Sequence, residues 1–410
     1  MKKTIITIVI TILFIASSLL GFANALSPSY KDDDIIETEN NSYNGYGLQW
    51  MMEYGTSART DARYQGPQPI GDCDNDGLNE LLISGRDSAI RVMKWDEDEQ
   101  TYQQEHILRP PLYPLINCDA GGMAIGDVTN NGKNEIAATW YTTVYRFFLF
   151  KFRIIGLNPY VFSNGGGSAD CLIGDCDNDG KNELILSGGQ LQDGSPVAEI
   201  TVLKWNGFFL RKFAEYKDPE VNGYVYMAGI GDVDYDDENE IVCAYHNKVM
   251  VLDWDPQNNE FISNRIYTTG GQWRPFGVVC KDCDNYGKDE ILLSYYNPRV
   301  TIFKYDGEDY QIQYDQIWPG GEPVIEGIDV GDTDNDGLNE VAVGVGETYI
   351  LQWNGSTYVQ EAILPTFGWM AVVCIGDCDN DGLNEINAGN VAVNSGEQFT
   401  EWVFKYGWGE

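Results

Sequence analysis

The side chains best suited to chemistry in this chain are aspartates and glutamates that recur in a fixed pattern. The stretch GDCDNDGLNE at residues 71–80 is found seven times in the 410-residue sequence, intact or altered. Its copies follow one another at intervals of about 50 residues, which is typical of folds built from repeated small modules. The leading residues of the seven copies are Asp72, Asp127, Asp175, Asp232, Asp282, Asp332 and Asp377.

The full form of the repeat is Asp-x-Asp-x-Asp-Gly-x-x-Glu. Alternate carboxylates around a glycine in a sharp turn make a flexible cage of oxygens, which suits Ca²⁺ better than the strictly octahedral Mg²⁺. Four copies keep every acid, namely Asp72, Asp74, Asp76 and Glu80; Asp175, Asp177, Asp179 and Glu183; Asp332, Asp334, Asp336 and Glu340; and Asp377, Asp379, Asp381 and Glu385. We expect each of these four loops to bind calcium.

The other three copies depart from the pattern. The fourth copy keeps all its acids, Asp232, Asp234, Asp236 and Glu240, but has Asp237 in place of glycine. Aspartate tolerates the left-handed backbone region, so we count this loop as a fifth calcium site. Thr129 and Asn131 replace two acids in the second copy and Tyr286 replaces one in the fifth, so we expect weak or empty sites there. The alternative for every loop is a solvated acidic turn without metal.

The elements around the acidic loops read as short β-strands. An apolar strand, typically ending in Gly-Asp, leads into each loop, and a second strand opens with the closing glutamate, as in residues 183–188. A third strand such as residues 90–95 and a fourth such as residues 358–364 follow, joined by turns such as Asn354-Gly355 that suit a hairpin. Four strands in each of seven units predict an all-β, seven-bladed β-propeller of four-stranded antiparallel blades.

The two ends of the repeat array predict how the ring closes. The last copy has three strands, ending near Lys405, and no fourth. Residues 48–54 resemble an outer strand that has no blade of its own. We therefore expect this N-terminal strand to complete the seventh blade, so that residues 46–410 form one propeller domain.

The motif and its place between the first two strands of each unit resemble the FG-GAP/VCBS repeats of integrin α-type propellers. This resemblance covers nearly all of the chain after residue 45. It implies calcium on one rim of a seven-bladed propeller that acts in adhesion, carbohydrate binding or protein binding. The ligands that it implies are the acids named above, and Thr129, Asp237 and Tyr286 are departures from the family pattern.

A ligand face is predicted on the rim opposite the acidic loops. In an antiparallel blade the turns after strands one and three lie on one rim, and those after strands two and four lie on the other. Aromatic and polar residues at the second rim could stack on sugars or anchor a protein. The candidates are Trp140, Tyr141, Tyr245, His246, Trp273, Arg274, Tyr295 and Trp369. The alternative is that these aromatic residues pack between blades.

Catalytic motifs are scarce. The chain has two histidines, His106 and His246, and neither a nucleophile elbow nor a zinc-protease motif. We therefore favour a binding module, either an adhesion or a recognition protein for a glycan or a protein ligand. The alternative is a polysaccharide lyase or glycosidase that uses carboxylates on the same scaffold. A third interpretation is a structural part of a surface assembly.

Charge and the N-terminal segment indicate an extracellular location. A formal net charge of −37 and scattered basic residues argue against a nucleic-acid partner. Residues 1–25 have the two lysines, apolar run and Ala23-Asn24-Ala25 end of a signal peptide, and residues 26–45 read as a flexible polar leader. An uncleaved anchor is the alternative for the first segment. We expect a secreted or cell-surface monomer, without a membrane span once the signal is removed.

Nine cysteines leave the pairing open. Cys73, Cys176, Cys283 and Cys378 share one loop position, where a small apolar side chain would suffice. A local bridge such as Cys374 to Cys378 is the alternative.

Overall fold

The structure, a computed structural model, describes the parts of the chain that carry the repeats. These parts are residues 43–55, 70–85, 87–115, 121–140, 142–158, 167–192, 195–270, 274–319, 325–391 and 399–409. The predicted signal peptide and most of the predicted leader lie outside the described residues. Within them no helix has the length and apolar character needed to cross a bilayer.

Twenty-eight strands in the described parts of the chain form seven four-stranded antiparallel sheets. The chain begins with β1 (Tyr46–Gly55). Blade one has β2 (Ile70–Gly71), β3 (Glu80–Gly85), β4 (Ala89–Asp96) and β5 (Thr101–Leu108). Blade two has β6 (Met123–Gly126), β7 (Glu135–Ala138), β8 (Thr143–Phe147) and β9 (Phe152–Leu157). Blade three has β10 (Gly167–Gly174), β11 (Glu183–Gln192), β12 (Ser195–Trp205) and β13 (Leu210–Asn222).

The remaining blades repeat this order. Blade four has β14 (Ala228–Gly231), β15 (Glu240–Tyr245), β16 (Lys248–Asp255) and β17 (Glu260–Thr268). Blade five has β18 (Pro275–Lys281), β19 (Glu290–Tyr295), β20 (Arg299–Tyr305) and β21 (Tyr310–Ile317). Blade six has β22 (Ile328–Gly331), β23 (Glu340–Val345), β24 (Glu347–Trp353) and β25 (Tyr358–Leu364). Blade seven has β26 (Trp369–Gly376), β27 (Glu385–Val391) and β28 (Phe399–Tyr406).

The N-terminal strand closes the ring. The seventh sheet has the order β1-β28-β27-β26, with Tyr46 opposite Tyr406 and Met51 opposite Trp402. Trp50 of β1 is buried, and its ring centre lies 5.3 Å from that of Tyr102 in blade one. The predicted seven-bladed propeller and its closure by an N-terminal strand are therefore confirmed.

The core lies between neighbouring blades. Buried apolar side chains of one sheet pack on those of the next, as where Ile185 of blade three joins Ile241 and Leu252 of blade four. The inner strands approach closely at the glycine that precedes the acidic loop in every blade except blade five, which has Lys281: a Cβ on Gly174 would lie 2.9 Å from Cδ1 of Ile230. Glycine at this position thus lets the inner strands converge.

Asparagines of the repeated motif join each acidic loop to the next. The Oδ1 atom of Asn75 accepts a hydrogen bond from the backbone N–H of Asn134 at 2.8 Å, and its Nδ2 atom donates to the Asn134 carbonyl at 3.0 Å. We call this reciprocal pair the asparagine clasp. The same clasp joins Asn130 to Asn182, Asn178 to Asn239, Asn285 to Asn339, Asn335 to Asn384 and Asn380 to Asn79.

The joint between blades four and five has a different pair at this position. Tyr235 and Asp289 replace the two asparagines. The Lys288 ammonium lies 4.4 Å from the centre of the Tyr235 ring and provides a cation–π contact across the joint. Burial raises the pKa of the Asp289 carboxyl, and the charge of Asp232 in blade four adds to that effect.

Replacing an asparagine of the clasp is expected to separate its two roles. Asn335 has a φ of 63°, a left-handed conformation that glycine adopts without strain and alanine does not. We expect Asn335→Gly to lower the free energy of unfolding by about 1–3 kcal/mol through the two lost hydrogen bonds. Asn335→Ala should cost about 1 kcal/mol more because it also strains the backbone. Urea unfolding would measure both changes, with Asn264→Ala on the exposed face of β17 as the control. Equal effects of Gly and Ala would contradict the conformational role.

Candidate metal centre

The seven acidic loops connect the first and second strand of every blade and so lie on one rim. The first aspartate of a loop shapes the turn. Asp72 accepts hydrogen bonds from the backbone N–H of Asp76 at 3.0 Å and of Gly77 at 2.9 Å. Asp127, Asp175, Asp232, Asp282 and Asp332 bind the equivalent two N–H groups, and Asp377 binds that of Gly382. These aspartates therefore already have backbone partners in the folded loop.

The glutamate that closes each loop is the first residue of the second strand. In blade one Glu80 is fully buried, and its Oε2 atom accepts the backbone N–H of Cys73 at 3.0 Å. Cys176, Val233, Cys283, Thr333 and Cys378 donate to their own closing glutamates in the same way. One carboxylate oxygen thus holds the loop to the second strand through this hydrogen bond. The other oxygen is left for the remaining charged groups of the loop.

A basic side chain from the third strand reaches the acids in five blades. In blade one the Lys94 ammonium lies 2.5 Å from Asp76 and 3.1 Å from Glu80. The other four pairs join Arg146 to Glu135 at 2.6 Å, Lys204 to Asp177 at 2.5 Å, Lys304 to Glu290 at 2.7 Å and Lys405 to Glu385 at 2.7 Å. The protein therefore supplies its own counter-charge to these five loops.

Each of these cations is the residue paired with the closing glutamate across the second and third strands. The register sets Lys405 directly opposite Glu385. In blade four the same register brings Asp253 opposite Glu240, and in blade six it brings Gln352 opposite Glu340. We call this third-strand position the opposing residue. Its cations were not recognised in the sequence, although a basic residue before Trp95, Phe147, Trp205, Tyr305 and Tyr406 is a visible signal.

Blades four and six therefore have acidic loops without an opposing cation. In blade four, carboxylate oxygens of Asp234, Glu240 and Asp253 lie within 4.8 Å of one another, as do those of Asp232, Asp234 and Asp236. The buried Oδ1 atom of Asp234 has no hydrogen-bond partner, and neither does the Oε1 atom of the fully buried Glu340 in blade six.

Raised pKa values are found for closing glutamates both with an opposing cation and without one. Burial, together with neighbouring aspartates, raises the pKa to about 7 in Glu183, Glu290, Glu340 and Glu385. In Glu240 burial and the charges of Asp234, Asp253 and Asp236 raise the pKa to about 8. Blade four is the loop in which an acid, Asp253, stands in place of the opposing cation and adds to the negative charge around Glu240.

The loops of blades four and six fit a hard divalent cation. They offer only oxygen ligands from several carboxylates, including buried oxygens that lack a partner, which is the donor set that calcium prefers. In the loops of blades one, three and seven, where the sequence motif also predicts calcium, a lysine contacts the acids. In blades two and five, where weak sites are expected, Arg146 and Lys304 do so.

The residues predicted at the opposite rim divide into three groups. Trp140, Tyr245 and Tyr295 are buried: the Trp140 indole N–H donates to the Tyr145 hydroxyl, and the Tyr245 hydroxyl donates to Asp218. Their side chains pack inside the propeller, as the alternative interpretation had it, and do not form a ligand surface. Tyr141 and Trp273 lie outside the described residues.

His246, Arg274 and Trp369 are not buried. His246 and Arg274 are exposed, and Trp369 is half-buried with its indole nitrogen enclosed and without a hydrogen bond. The Nδ1 atom of the His246 ring lies 2.9 Å from the Oδ1 atom of Asn247. Near Arg274 four aromatic rings gather: Phe276 stacks on Tyr226 at 4.6 Å, and Tyr224 and Tyr296 flank this pair.

A second group of exposed apolar residues was not predicted and lies on the rim of the acidic loops. It consists of the turn between β8 and β9, with Phe148, Leu149 and Phe150, and the turn between β12 and β13, with Phe208 and Phe209. Phe150 is 88% exposed and Phe208 is 80% exposed. We call these two turns of neighbouring blades the apolar turns. In blades one, four, five and six the equivalent turns are polar, such as residues 96–101 and 255–260.

The eight cysteines among the described residues are buried free thiols, so the structure does not form the predicted alternative bridge between Cys374 and Cys378. Burial raises the pKa of these thiols, as at Cys171 and Cys243. They act as small apolar side chains of the core.

Comparison with known proteins supports the fold. No family model matches the chain. The BBS1N chain in a crystal structure with ARL6DN, soaked with mercury, is similar with a TM-score of 0.57 at 13% identity, over 89% of this chain and 98% of that one. The structure of the Dos1 propeller is similar with a TM-score of 0.51 at 10% identity, over 83% of this chain and 79% of that one. At these identities the likeness concerns the propeller scaffold.

Proposed function

We propose that this protein is a secreted, calcium-stabilised propeller that recognises another protein through the rim of its acidic loops. The exposed apolar turns carry this proposal. Large apolar side chains at exposures of 80% and 88% in neighbouring turns are unfavourable in water, and such surfaces mark interaction sites in soluble proteins. The repeat pattern adds to it, because FG-GAP/VCBS-like repeats imply adhesion or recognition.

The partner's chemistry follows from what surrounds the apolar turns. The same rim carries the acidic loops, and the whole chain has a net charge of −37. Complementary surfaces pair opposite charges around an apolar centre. The partner that fits is therefore an extracellular protein with an apolar patch bordered by lysine and arginine. The BBS1N chain was crystallised with a protein, ARL6DN, which shows that a scaffold of this kind can hold one.

A glycan ligand is the second candidate, and a different observation favours it. The carbonyl of exposed Arg274 accepts a hydrogen bond from the Tyr296 N–H at 2.9 Å, and half-buried Tyr296 and Tyr226 pack on the buried Phe276 at the opposite rim. Aromatic rings beside a guanidinium are suited to sugar recognition. A lyase or glycosidase would need free carboxylates there, whereas the acidic loops lie on the other rim and Asp218, beside Tyr245, is buried and paired with Lys248.

Calcium would contribute stability and order to this rim. It would neutralise acids that otherwise repel one another and would hold the start of the second strand to the loop. This is a structural role, so the chemistry of recognition rests on the apolar turns.

Removing the apolar turns is expected to abolish recognition. We expect the double variant F150S/F208S to bind its protein partner at least tenfold more weakly, since buried aromatic anchors dominate interface energies. The partner would be obtained by cross-linking the purified protein to extracellular proteins, and its affinity measured by biolayer interferometry. Leu115→Ser is the matched control, because Leu115 is 88% exposed but follows β5 and so lies toward the opposite rim.

Two results would contradict this assignment. Binding lost in Leu115→Ser and kept in F150S/F208S would move the site to the opposite rim. Retention of a glycan on an array, abolished by Arg274→Ala alone, would favour the glycan candidate, and shortening of that glycan would favour the enzyme.

A further inference from the structure

The opposing residue divides the seven acidic loops into two classes. In five blades a lysine or arginine occupies this position and lies within ion-pairing distance of the loop acids. In blade seven the Lys405 ammonium contacts three carboxylates, those of Asp379 at 2.5 Å, Asp381 at 2.8 Å and Glu385 at 2.7 Å. The ammonium thus occupies the oxygens that a calcium ion would need.

Blade four reverses the charge at this position. Asp253 replaces the cation, and its carboxylate lies within 4.8 Å of oxygens of Asp234 and Glu240. Asp232 and Asp236 bring this cluster to five carboxylates, and no lysine or arginine among the described residues forms an ion pair with any of them. The buried Oδ1 atom of Asp234 has no hydrogen-bond donor. Asp289 of blade five adds a sixth acid close to Asp232.

Blade six also has five carboxylates and no opposing cation, but its fifth carboxylate comes from a different strand. Its opposing residue is the neutral Gln352. A fifth carboxylate comes from the fourth strand, where Glu361 interacts electrostatically with Asp334 and Asp336. The Oε1 atom of Glu340, which is fully buried, and the Oε2 atom of Glu361 are both enclosed without a hydrogen-bond partner. The Oε1 atoms of Glu183 and Glu385 also lack a hydrogen bond, but Lys204 and Lys405 lie 3.3 Å and 2.7 Å from them. Among the described residues, no lysine or arginine forms an ion pair with Glu340 or Glu361.

We propose that calcium binds only to the loops of blades four and six, and that the five opposing cations permanently replace the metal in the other blades. This inference rests on the proposed calcium-binding function and restricts it to two of the seven loops. It predicts two ions in each chain instead of the five that the acidic motif alone suggests. The sites would be formed by Asp232, Asp234, Asp236, Glu240 and Asp253, and by Asp332, Asp334, Asp336, Glu340 and Glu361.

The physical reason is competition for the same oxygens. A tethered ammonium is present at a very high effective concentration, because it is part of the same sheet as the glutamate that it neutralises. A calcium ion entering such a loop must displace the lysine and leave its charge buried against the ion. Where the opposing residue is an acid or a neutral amide, no displacement is needed.

The test counts bound ions by equilibrium dialysis of the purified protein against ⁴⁵Ca²⁺. The wild-type protein is expected to bind two ions. Asp253→Lys and Gln352→Lys should each remove one, and the double variant should bind none. Asn264→Lys adds the same charge to an exposed site on β17 of blade four, and is expected to keep both ions.

A variant that is expected to gain a calcium ion is needed as well, because a variant could also lose its ions by misfolding. Lys204→Gln removes the cation of blade three and leaves Asp175, Asp177, Asp179 and Glu183 in place. We expect this variant to bind a third ion. Five or more ions in the wild-type protein would overturn the selectivity but leave calcium binding intact, whereas no bound ion would overturn both. A count of two that neither D253K nor Q352K lowers would also overturn the assignment.

Discussion

Millimolar calcium is expected to raise the free energy of unfolding of this protein by about 5 kcal/mol relative to EDTA. A ligand that binds only the folded state contributes about 2.7 kcal/mol when its concentration is a hundred times the dissociation constant. Two such sites give the expected total. The ions would neutralise the loops of blades four and six, where buried oxygens such as Oε1 of Glu340 have no partner. Guanidinium unfolding monitored by tryptophan fluorescence would measure the difference.

Magnesium provides the control for this measurement. It binds reluctantly to protein cages that lack its octahedral geometry, so the same concentration of magnesium should stabilise the fold much less. The D253K/Q352K variant should lose the calcium response while keeping its ring of blades. An equal response to both metals, or a full calcium response in that variant, would show that the ions act elsewhere or only by screening charge.

Removing the cation of blade seven is expected to destabilise the protein strongly. Lys405 is 5% exposed and neutralises three carboxylates, of which Glu385 is fully buried. Truncating one partner of a buried ion pair leaves an uncompensated charge and costs about 3–5 kcal/mol. We expect Lys405→Ala to lower the free energy of unfolding in EDTA by this amount, measured by the same guanidinium method.

Calcium should recover much of that loss, because the emptied loop of blade seven keeps Asp377, Asp379, Asp381 and Glu385. Lys212→Ala is the matched control, since Lys212 pairs with Glu215 at the surface and its side chain is 44% exposed. Surface pairs contribute at most about 1 kcal/mol, so this variant should be nearly neutral with or without calcium. A Lys405→Ala protein as stable as Lys212→Ala would contradict the role of the buried ammonium.

The fold could be predicted because its signals are local and repeated. Strand, acidic turn and strand recur within each unit, and the missing last strand of the final unit matches the unpaired strand at residues 48–54. The sheet β1-β28-β27-β26 confirms that inference. A single repeat would have been ambiguous, whereas seven copies show which positions are structural.

The counter-charges of the loops could not be predicted in the same way. Lys94 follows Asp76 by 18 residues, and its contact with the acids depends on the register between β3 and β4. A lysine in a strand is usually a solvated residue, so the residue type alone does not indicate that it pairs with the acids of the loop. Only the comparison of all seven third strands, with Asp253 and Gln352 as exceptions, makes the position informative.

Burial of the rim aromatics depends on contacts that the sequence does not contain. Trp140 and Tyr245 follow or end second strands, as predicted. However, the Trp140 indole N–H forms a hydrogen bond with the Tyr145 hydroxyl, and the Tyr245 hydroxyl forms one with the Tyr216 hydroxyl. These hydrogen bonds allow both rings to be buried. The exposed Phe148 and Phe150 are the converse case. In sequence they resemble core residues, and only the turn between β8 and β9 brings them to the surface.

The joint between blades four and five gives the ring a preferred place to open. Six joints are fastened by the asparagine clasp, and this one has Tyr235 and Asp289 instead. A closed ring can open at one blade only if a joint between two blades separates, so we expect the joint that lacks the asparagine clasp to separate first. A cation held by blade four would sit beside it. Calcium bound in blade four would then control how readily the ring opens between blades four and five.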